Sequence, residues 1–226
     1  MTKSLALKKV PIFSDLTDKE LDLLLLVTTT TTYGKNETII HRQDEGDTFF
    51  LIMKGRVKVV LDDDEGKEFI VGILTDPDFF GEISLLDGEP RSASVVAMDP
   101  TEVIMMKRED FLVQITRHPE MCIKILTVLG RRLRKANQNI ESLVFLDVCG
   151  RVARVLIEMS ETQGKDEPEG TLIRIEHNRV ELANLVGTTR ETLTRALKTL
   201  EHMGYIRIKR NAFLITNKSG LYQRIY

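Results

Sequence analysis

The spacing of apolar residues divides the chain into segments of different structure. Over residues 12–27, apolar positions recur with a helical period, and Thr17 is followed by Glu20 in the pattern of a capping box. These residues predict a helix over 12–27. From residue 28 to about residue 107, short runs rich in Val, Ile, Thr and Phe alternate with turn sequences, which indicates a compact all-β unit.

The turn sequences of this β unit predict where its strands reverse direction. Gly55 follows the apolar run FLIMK, and Gly66 lies in the polar sequence DDDEGKE. We therefore predict β-hairpins around both glycines. Many short strands at this spacing are typical of a sandwich, a jelly roll or a barrel.

A long amphipathic segment follows the β unit, and its apolar residues keep a heptad spacing. Between residues 119 and 146 they recur at alternating intervals of four and three, beginning at Cys122. Such a seam is typical of a coiled-coil dimer, although a long helix packed on its own domain is the alternative. The predicted dimer interface consists of Leu126, Leu129, Leu133, Ala136, Ile140 and Leu143.

The residues from 147 onward follow another pattern. A helical segment precedes the polar sequence GKDEPEG, which predicts a loop, and a short strand, two helices and a β-hairpin follow. In the two helices, the small residue Ala183 stands four residues before Gly187, and apolar Leu193 and Leu197 come after it. This spacing is that of a helix-turn-helix, with Gly187 in the turn.

Composition excludes several classes of function. The 226 residues include 32 Lys+Arg and 34 Asp+Glu, a formal net charge of -2, and 42% are hydrophobic, as in an ordinary globular protein. No apolar run approaches the roughly 20 residues of a membrane span and no secretory pattern is present, so we expect a cytoplasmic protein without a membrane partner. Two distant cysteines, four scattered histidines and no catalytic motif predict neither a metal site, a prosthetic group nor an enzyme.

The segment FGEISLLDGEPRSASV, residues 80–95, has the chemistry of an anion site. Gly81 allows a tight turn, and the helix predicted after it would leave backbone N–H groups free to bind an anion. After the next turn, the guanidinium of Arg91 can bind a phosphate through two hydrogen bonds, and Ser92 can add a hydroxyl. Glu82 can accept a hydrogen bond from a sugar hydroxyl, which would make the ligand a nucleotide; a surface ion pair between Glu82 and Arg91 is the alternative.

The second helix of the predicted helix-turn-helix has a polar side. Because arginine suits guanine and glutamate can accept from cytosine, we expect this side to contact base edges, although a merely solvated charged face is the alternative. The residues on it are Arg190, Glu191, Thr194, Arg195 and Lys198. Phosphate contacts are expected from Arg179, from Thr188 or Thr189, either of which can cap the helix, and from Lys209 in the hairpin.

Residues 80–95 resemble the phosphate-binding cassette of cyclic-nucleotide-binding domains, both in FGE and in RSA after a turn. The resemblance implies that Glu82 holds the ribose 2′-hydroxyl and that Arg91 holds the cyclic phosphate. It adds to the ligand site Gly81, the backbone amides near Ile83 and Ser84, and the pair Ser92 and Ala93.

The sequence TTRETLTR resembles the recognition helix of the CRP/FNR regulators, in which the residues matching Arg190, Glu191 and Arg195 contact bases of a palindromic site. The sequence FLDVCGRVARVL resembles the hinge of this family. The resemblance implies an α+β chain in three parts. These are a cyclic-nucleotide-binding β-roll (jelly roll) at residues 1–118, a dimerisation helix at residues 119–146 and a winged helix-turn-helix at residues 147–226.

The resemblance implies a homodimeric transcription regulator that binds double-stranded DNA, responds to cyclic AMP and contacts RNA polymerase. The ligand would bind between the β-roll and the dimer helix and favour a hinge setting that places recognition helices in major grooves about 34 Å apart. One departure concerns Ala136 and Asn137, which stand where cyclic-AMP-binding members often have Thr followed by Ser or Asn. Ala136 lacks the hydroxyl, whereas Asn137 can donate and accept. Cyclic GMP as the effector, or a regulator that needs no nucleotide, therefore stays open.

The near-neutral total charge conceals two opposed parts. Residues 170–226 hold ten Lys+Arg and four Asp+Glu, a net charge of +6, which leaves -8 for residues 1–169. A basic C-terminal part beside an acidic remainder is what a DNA-binding unit joined to a sensing unit predicts.

Overall fold

The structure is a computed structural model that describes residues 7–8, 10–63, 66–175 and 178–225. Its chain divides into two compact units, Met1–Arg134 and Lys135–Tyr226. The first unit has two apolar cores and the second unit has one. Within the described residues, no helix has both the length and the apolar character that crossing a membrane requires.

The first unit is built on two antiparallel sheets of four strands each, as expected for a β-roll. One sheet has the strand order β1-β8-β3-β6 and the other has the order β2-β7-β4-β5. Together with the helices of both units, these sheets confirm the predicted α+β class. The strands are β1 (Thr28–Tyr33), β2 (Thr38–Ile40), β3 (Thr48–Lys54), β4 (Arg56–Asp62), β5 (Glu68–Thr75), β6 (Phe79–Phe80), β7 (Ser94–Ala97) and β8 (Thr101–Lys107).

Strand β3 lies between the two apolar cores of this unit and is therefore buried on both faces. Phe49 and Leu51 face one apolar core, and Phe50 and Ile52, which alternate with them, face the other. A strand of this kind has a continuous apolar run instead of an alternating one. The first core also receives Phe111, whose ring centroid lies 4.7 Å from that of Phe49.

The helices of the first unit are α1 (Asp18–Leu26), α2 (Glu82–Asp87), α3 (Arg108–Arg117) and α4 (Pro119–Phe145), which continues into the second unit. The capping box is confirmed, since Thr17 Oγ1 accepts from the Glu20 amide at 3.4 Å and Glu20 Oε2 accepts from the Thr17 amide at 2.7 Å. The predicted helix over 12–27 begins too early. Thr17 is extended, with φ -69° and ψ 160°, and caps α1. The 3-10 turn Pro11–Phe13 before it is therefore a separate element.

The hairpin predicted at Gly55 is wrong, whereas the one that contains Gly66 is confirmed. Strands β4 and β5 pair along their length, but β3 and β4 belong to different sheets, so Gly55 carries the chain from one sheet to the other. Gly55 has φ +98°, and a Cβ there would lie 2.6 Å from Thr101 Oγ1 and 2.8 Å from the Pro100 carbonyl oxygen. The crossing therefore requires glycine for its conformation and for its space.

The face of α4 predicted to form a dimer is largely exposed in the single chain. Leu126, Leu133, Ile140 and Leu143 have exposed fractions of 65%, 63%, 59% and 43%. Leu129 and Ala136 are half-buried, and Leu129 packs against the core of the first unit. The seam residues thus divide between an exposed stripe and contacts within the chain.

The second unit combines helices with a small antiparallel sheet of order β11-β12-β10-β9. The predicted polar loop GKDEPEG is partly wrong, because its first residues form β9, whose backbone groups pair with β10 whatever the polarity of the side chains. The elements are α5 (Val148–Gln163), β9 (Lys165–Glu167), β10 (Gly170–Arg174), α6 (Arg179–Val186), α7 (Arg190–His202), β11 (Ile206–Lys209), β12 (Ala212–Ile215) and α8 (Lys218–Tyr222).

The crossing at Gly55 yields a stability prediction. Gly55→Ala adds left-handed backbone strain of about 1–2 kcal/mol and an overlap that costs roughly 1–3 kcal/mol. We expect urea unfolding, followed by circular dichroism, to show a loss of at least about 2 kcal/mol. Gly88→Ala is the matched control, since Gly88 also has a positive φ of 76° but its added Cβ meets no described atom within 4 Å. Equal losses in the two variants would contradict the steric argument.

Candidate functional site

Strand β6 leads through Gly81 into α2, and this turn forms one side of the candidate ligand site. Gly81 is left-handed, with φ 80° and ψ 6°. A Cβ on Gly81 would lie 2.8 Å from Arg91 Nη1 and 2.9 Å from the Thr48 carbonyl oxygen. The turn therefore needs glycine so that the backbone can approach the Arg91 guanidinium.

The Arg91 side chain is the buried cation of this site. Arg91 is 6% exposed, and it donates from Nη1 to the Gly81 carbonyl and from Nη2 to the Thr48 carbonyl, both at 2.8 Å. Burial lowers the pKa of Arg91, and the negative charges of Asp47 and Glu82 partly oppose this effect. Among the described residues, Arg91 forms no ion pair. A fixed, poorly hydrated cation that makes no direct ion pair among the described residues is suited to bind an anion.

The loop before β3 closes against the same side chains. A Cβ on Gly46 would lie 2.4 Å from Ser84 Cβ and 2.9 Å from Arg91 Nε. Gly46 is thus a residue of the site, and its closeness to Ser84 and Arg91 arises only in the fold. Of the other residues predicted there, Ser84 is buried, Ala93 is half-buried, and Ile83 and Ser92 are exposed.

Glu82 pairs with a residue that the sequence analysis did not assign to the site. Glu82 is 1% exposed, and its Oε1 accepts from Arg132 Nη1 at 2.8 Å. The predicted alternative, a surface ion pair between Glu82 and Arg91, is wrong, because both side chains are buried and Arg91 binds carbonyls instead. Arg132 also donates to the Phe79 carbonyl, and its guanidinium carbon lies 5.0 Å from the centroid of the Phe79 ring.

Two further residues predicted for the ligand site, Ala136 and Asn137, lie on α4 in the second unit. Their part in ligand binding stays a prediction. The residues that the fold does bring together are Gly81, Glu82, Ser84 and Arg91 of the cassette, with Gly46 from the preceding loop and Arg132 from α4.

The predicted helix-turn-helix consists of α6 and α7. Gly187 ends α6 in the left-handed conformation, with φ 70° and ψ 48°, and Thr189 caps α7 by accepting from the Thr192 amide at 3.2 Å. Ala183 is 1% exposed at the helix crossing, and Leu193 and Leu197 are buried beneath α7. The structure thus confirms the predicted positions of the small residue, the turn and the buried face.

The polar side of α7 is open to solvent. Its side chains can therefore reach a duplex that approaches this side. All five residues predicted on it are exposed: Arg190, Glu191, Thr194, Arg195 and Lys198.

One arginine of α5, which the sequence analysis also left unassigned, fixes the turn of the helix-turn-helix. Arg151 donates from Nε to the Val186 carbonyl at 2.9 Å and from Nη2 to the Gly187 carbonyl at 3.3 Å. Its Nη1 donates to the Leu146 carbonyl at 3.0 Å. A single cation thus binds the end of α6 and the segment between α4 and α5.

The residues expected to contact phosphates differ in how exposed they are and in what they contact. Thr188 and Arg179 are half-buried, and the Arg179 guanidinium carbon lies 5.1 Å from the Phe213 ring centroid. Burial lowers the pKa of Arg179, and the positive charge of Arg190 lowers it further. Lys209 is exposed, and its Nζ lies 3.5 Å from Glu167 Oε2.

Comparison with known proteins shows that the two candidate sites lie in two known domain families. Residues 30–118 match the family model of the cyclic nucleotide-binding domain, and residues 150–224 match that of the Crp-like helix-turn-helix domain. The chain is 34% identical to a CRP-like cAMP-activated global transcriptional regulator of Mycobacterium tuberculosis, over 85% of this chain and 86% of the relative. It is 36% identical to the Cyclic AMP receptor protein of Thermus thermophilus, over 89% of this chain and 90% of the relative.

The fold agrees with these matches. A CooA mutant from Carboxydothermus hydrogenoformans superposes with a TM-score of 0.79 at 26% sequence identity, over 91% of this chain and 90% of that chain. A cyclic-nucleotide-binding domain followed by a helix-turn-helix defines a DNA-binding transcription regulator rather than an enzyme. The chain belongs to the CRP/FNR family of these regulators.

The Glu82–Arg132 pair yields a prediction for the ligand site. Arg132→Met leaves the buried carboxylate without its cation, which we expect to destabilise the first unit by roughly 2–4 kcal/mol in urea unfolding. Replacing both partners, as Arg132→Met with Glu82→Gln, should recover part of the loss because no unpaired charge stays buried. The control is Arg131→Met on the exposed neighbouring residue. A loss no larger than that of the control would show that the pair does not stabilise the cassette.

Proposed function

We propose that this chain is a cyclic-AMP-responsive transcription regulator that acts as a homodimer on palindromic DNA sites. The observation that carries the proposal is the buried Arg91, a cation without an ion pair among the described residues, held by the Gly81 turn of the cassette. The cyclic phosphate would pair directly with this guanidinium, and Glu82, whose Oε1 binds Arg132, would accept from the ribose 2′-hydroxyl.

Cyclic AMP is favoured as the effector by the names of the two relatives, which are described as cAMP-activated and as a cyclic AMP receptor. The fold alone does not choose the effector, since the structurally similar CooA is described as a CO-dependent transcription factor. Ala136 removes one hydroxyl that the resemblance places near the base, so cyclic GMP is the alternative that a direct measurement must compare.

The pair between Glu82 and Arg132 supplies a physical route for the response. Glu82 would be both a ligand contact and the partner of an α4 residue, so ligand binding would change the contacts that hold this part of α4. A ligand shifts a conformational equilibrium only through contacts that differ between the two states. The Glu82 carboxylate would be such a contact, because its partner Arg132 lies on α4 (Pro119–Phe145).

The exposed stripe of α4 supports the homodimer. Leu126, Leu133 and Ile140 stand seven residues apart, two turns of the helix, and each is more than half exposed, which leaves an apolar seam on one helix face. A second copy of the chain would cover this seam with the same face. Two copies of α7 would then bind successive major grooves of a palindromic site about 34 Å apart.

The remaining partners follow from the proposed activity. A regulator of this class acts on promoter DNA, which places it in the cytoplasm of a bacterial cell, and it would contact RNA polymerase. Arg190, Glu191 and Arg195 would contact base edges from the polar side of α7, which also carries Thr194 and Lys198. Thr188, Thr189, Arg179 and Lys209 would contact phosphates.

A second candidate function is a regulator of the same family that binds DNA without any nucleotide. The observation that favours it is Ala136, which lacks the hydroxyl expected near the base. Calorimetric titration separates the two candidates, because the second predicts no binding of cyclic AMP or cyclic GMP and unchanged DNA affinity in their presence.

Titration of the purified chain with each nucleotide tests the first proposal. We expect cyclic AMP to bind more tightly than cyclic GMP, and Arg91→Leu to weaken cyclic AMP binding by at least about thirty-fold, since a buried charge contact contributes roughly 2–5 kcal/mol. Arg117→Leu, at an exposed arginine of the same unit, is the matched control. Sedimentation and circular dichroism should show that both variants remain folded dimers. Normal binding by a folded Arg91→Leu variant would refute the cassette assignment.

A DNA-binding assay tests the part proposed for α7. Arg195→Ala should cost about 1–3 kcal/mol at a specific site and relax the preference for one base pair, because an arginine pairs with guanine through two hydrogen bonds. Arg131→Ala, outside the helix-turn-helix, is the control. A uniform loss across all duplex sequences would instead assign Arg195 to a phosphate.

A further inference from the structure

The cap of α7 continues into a chain of hydrogen bonds that reaches an arginine on its polar side. Thr189 Oγ1 accepts from the Thr192 amide at 3.2 Å and lies 3.0 Å from Thr192 Oγ1, to which it donates. Arg195 Nη2 donates to the same Thr192 oxygen at 3.2 Å. Residues three apart lie on one helix face, so these side chains form a single row along α7.

We propose that Thr192 is a positioning residue for DNA recognition, whose hydroxyl holds the Arg195 guanidinium in place before the duplex arrives. The inference rests on the proposed function, in which Arg195 contacts a base. A free arginine loses rotamer freedom when it binds, at a cost of about 0.5–1.5 kcal/mol. A side chain already held by Thr192 loses less of that freedom, and its fork begins nearer to the binding geometry.

The Thr192 hydroxyl differs from the others on the exposed side of α7. Thr194 Oγ1 donates to the Arg190 carbonyl at 2.8 Å, and Thr199 Oγ1 donates to the Arg195 carbonyl at 3.1 Å. These two hydroxyls therefore bond the backbone of their own helix. The Thr192 oxygen instead accepts from two side chains, one of which is a cation.

The support is specific to one of the two arginines expected to contact bases. Within the part of the chain that the structure describes, the Arg190 guanidinium makes no hydrogen bond or ion pair, whereas Arg195 is bonded to Thr192. Arg195 is consequently the better prepared of the two. Its base pair should carry the sharper preference, and that preference should depend on the residue at position 192.

A double-mutant cycle at positions 192 and 195 tests the inference. Thr192→Val keeps the shape of the side chain and removes the hydroxyl, and we expect it to weaken binding to the preferred site by about 2- to 12-fold, the fold-change that corresponds to immobilising one long side chain. The loss should fall mainly at the base pair that Arg195→Ala relaxes. In the Arg195→Ala background, Thr192→Val should have no further effect.

Two variants separate positioning from other roles of a threonine. Thr192→Ser retains the hydroxyl and should keep DNA affinity within about twofold of the wild type, since the acceptor for Arg195 remains. Thr199→Val makes the same chemical change on α7 at a hydroxyl that bonds the backbone, and it should leave the base preference unchanged. Thermal unfolding of each variant should show that α7 stays folded.

Three outcomes would overturn the inference. Equal losses from Thr192→Val with and without Arg195, spread uniformly over all duplex sequences, would assign Thr192 to a phosphate. Equal effects of Thr192→Val and Thr199→Val on affinity and unfolding would assign the loss to helix stability. If Arg195→Ala alone leaves binding and base preference unchanged, the proposed base contact itself fails, and this result is visible before any variant at position 192 is compared.

Discussion

The ion pair between Glu82 and Arg132 is the constraint on which the ligand site depends. A buried carboxylate without a cation is strongly unfavourable, so the start of α2 can be buried only where Arg132 reaches it. The pair neutralises the Glu82 carboxylate, and the neighbouring cation, Arg91, donates to two backbone carbonyls instead. An anionic ligand would complete the site as proposed, because it could pair directly with the Arg91 guanidinium.

The second unit uses an arginine in a comparable way. Arg151 bonds carbonyls at Leu146, Val186 and Gly187, so the segment between α4 and α5 and the turn of the helix-turn-helix share one donor group. Those carbonyls lie at helix ends, where no intrahelical donor satisfies them. The buried Arg91 and the half-buried Arg151 thus each satisfy backbone carbonyls that the local secondary structure leaves without a donor.

The features that the sequence predicts well are local. The Thr17 capping box, the left-handed Gly187 and the buried positions of α7 all depend on residues within a turn or two of each other. The hairpin prediction at Gly55 is wrong because the strands that pair with β3 are distant in sequence. The apolar run of β3 contributes to two cores, one on each face. Arg132 was missed for the same reason, since its partner lies 50 residues away and the only signal is an arginine beside the seam residue Leu133.

The strand β11 carries two cations that already have anionic neighbours. Arg207 bonds Glu169 at 2.6 Å, and Lys209 lies 3.5 Å from Glu167, so both basic groups face carboxylates of the β9–β10 hairpin, which lies beyond β12 in the sheet. A DNA phosphate that binds Lys209 would displace a carboxylate as well as mobile ions. When a phosphate replaces a carboxylate beside a lysine, fewer counterions are released overall than when a free lysine neutralises a phosphate. The slope of DNA affinity against salt concentration would therefore indicate fewer Lys and Arg contacts than the duplex actually makes.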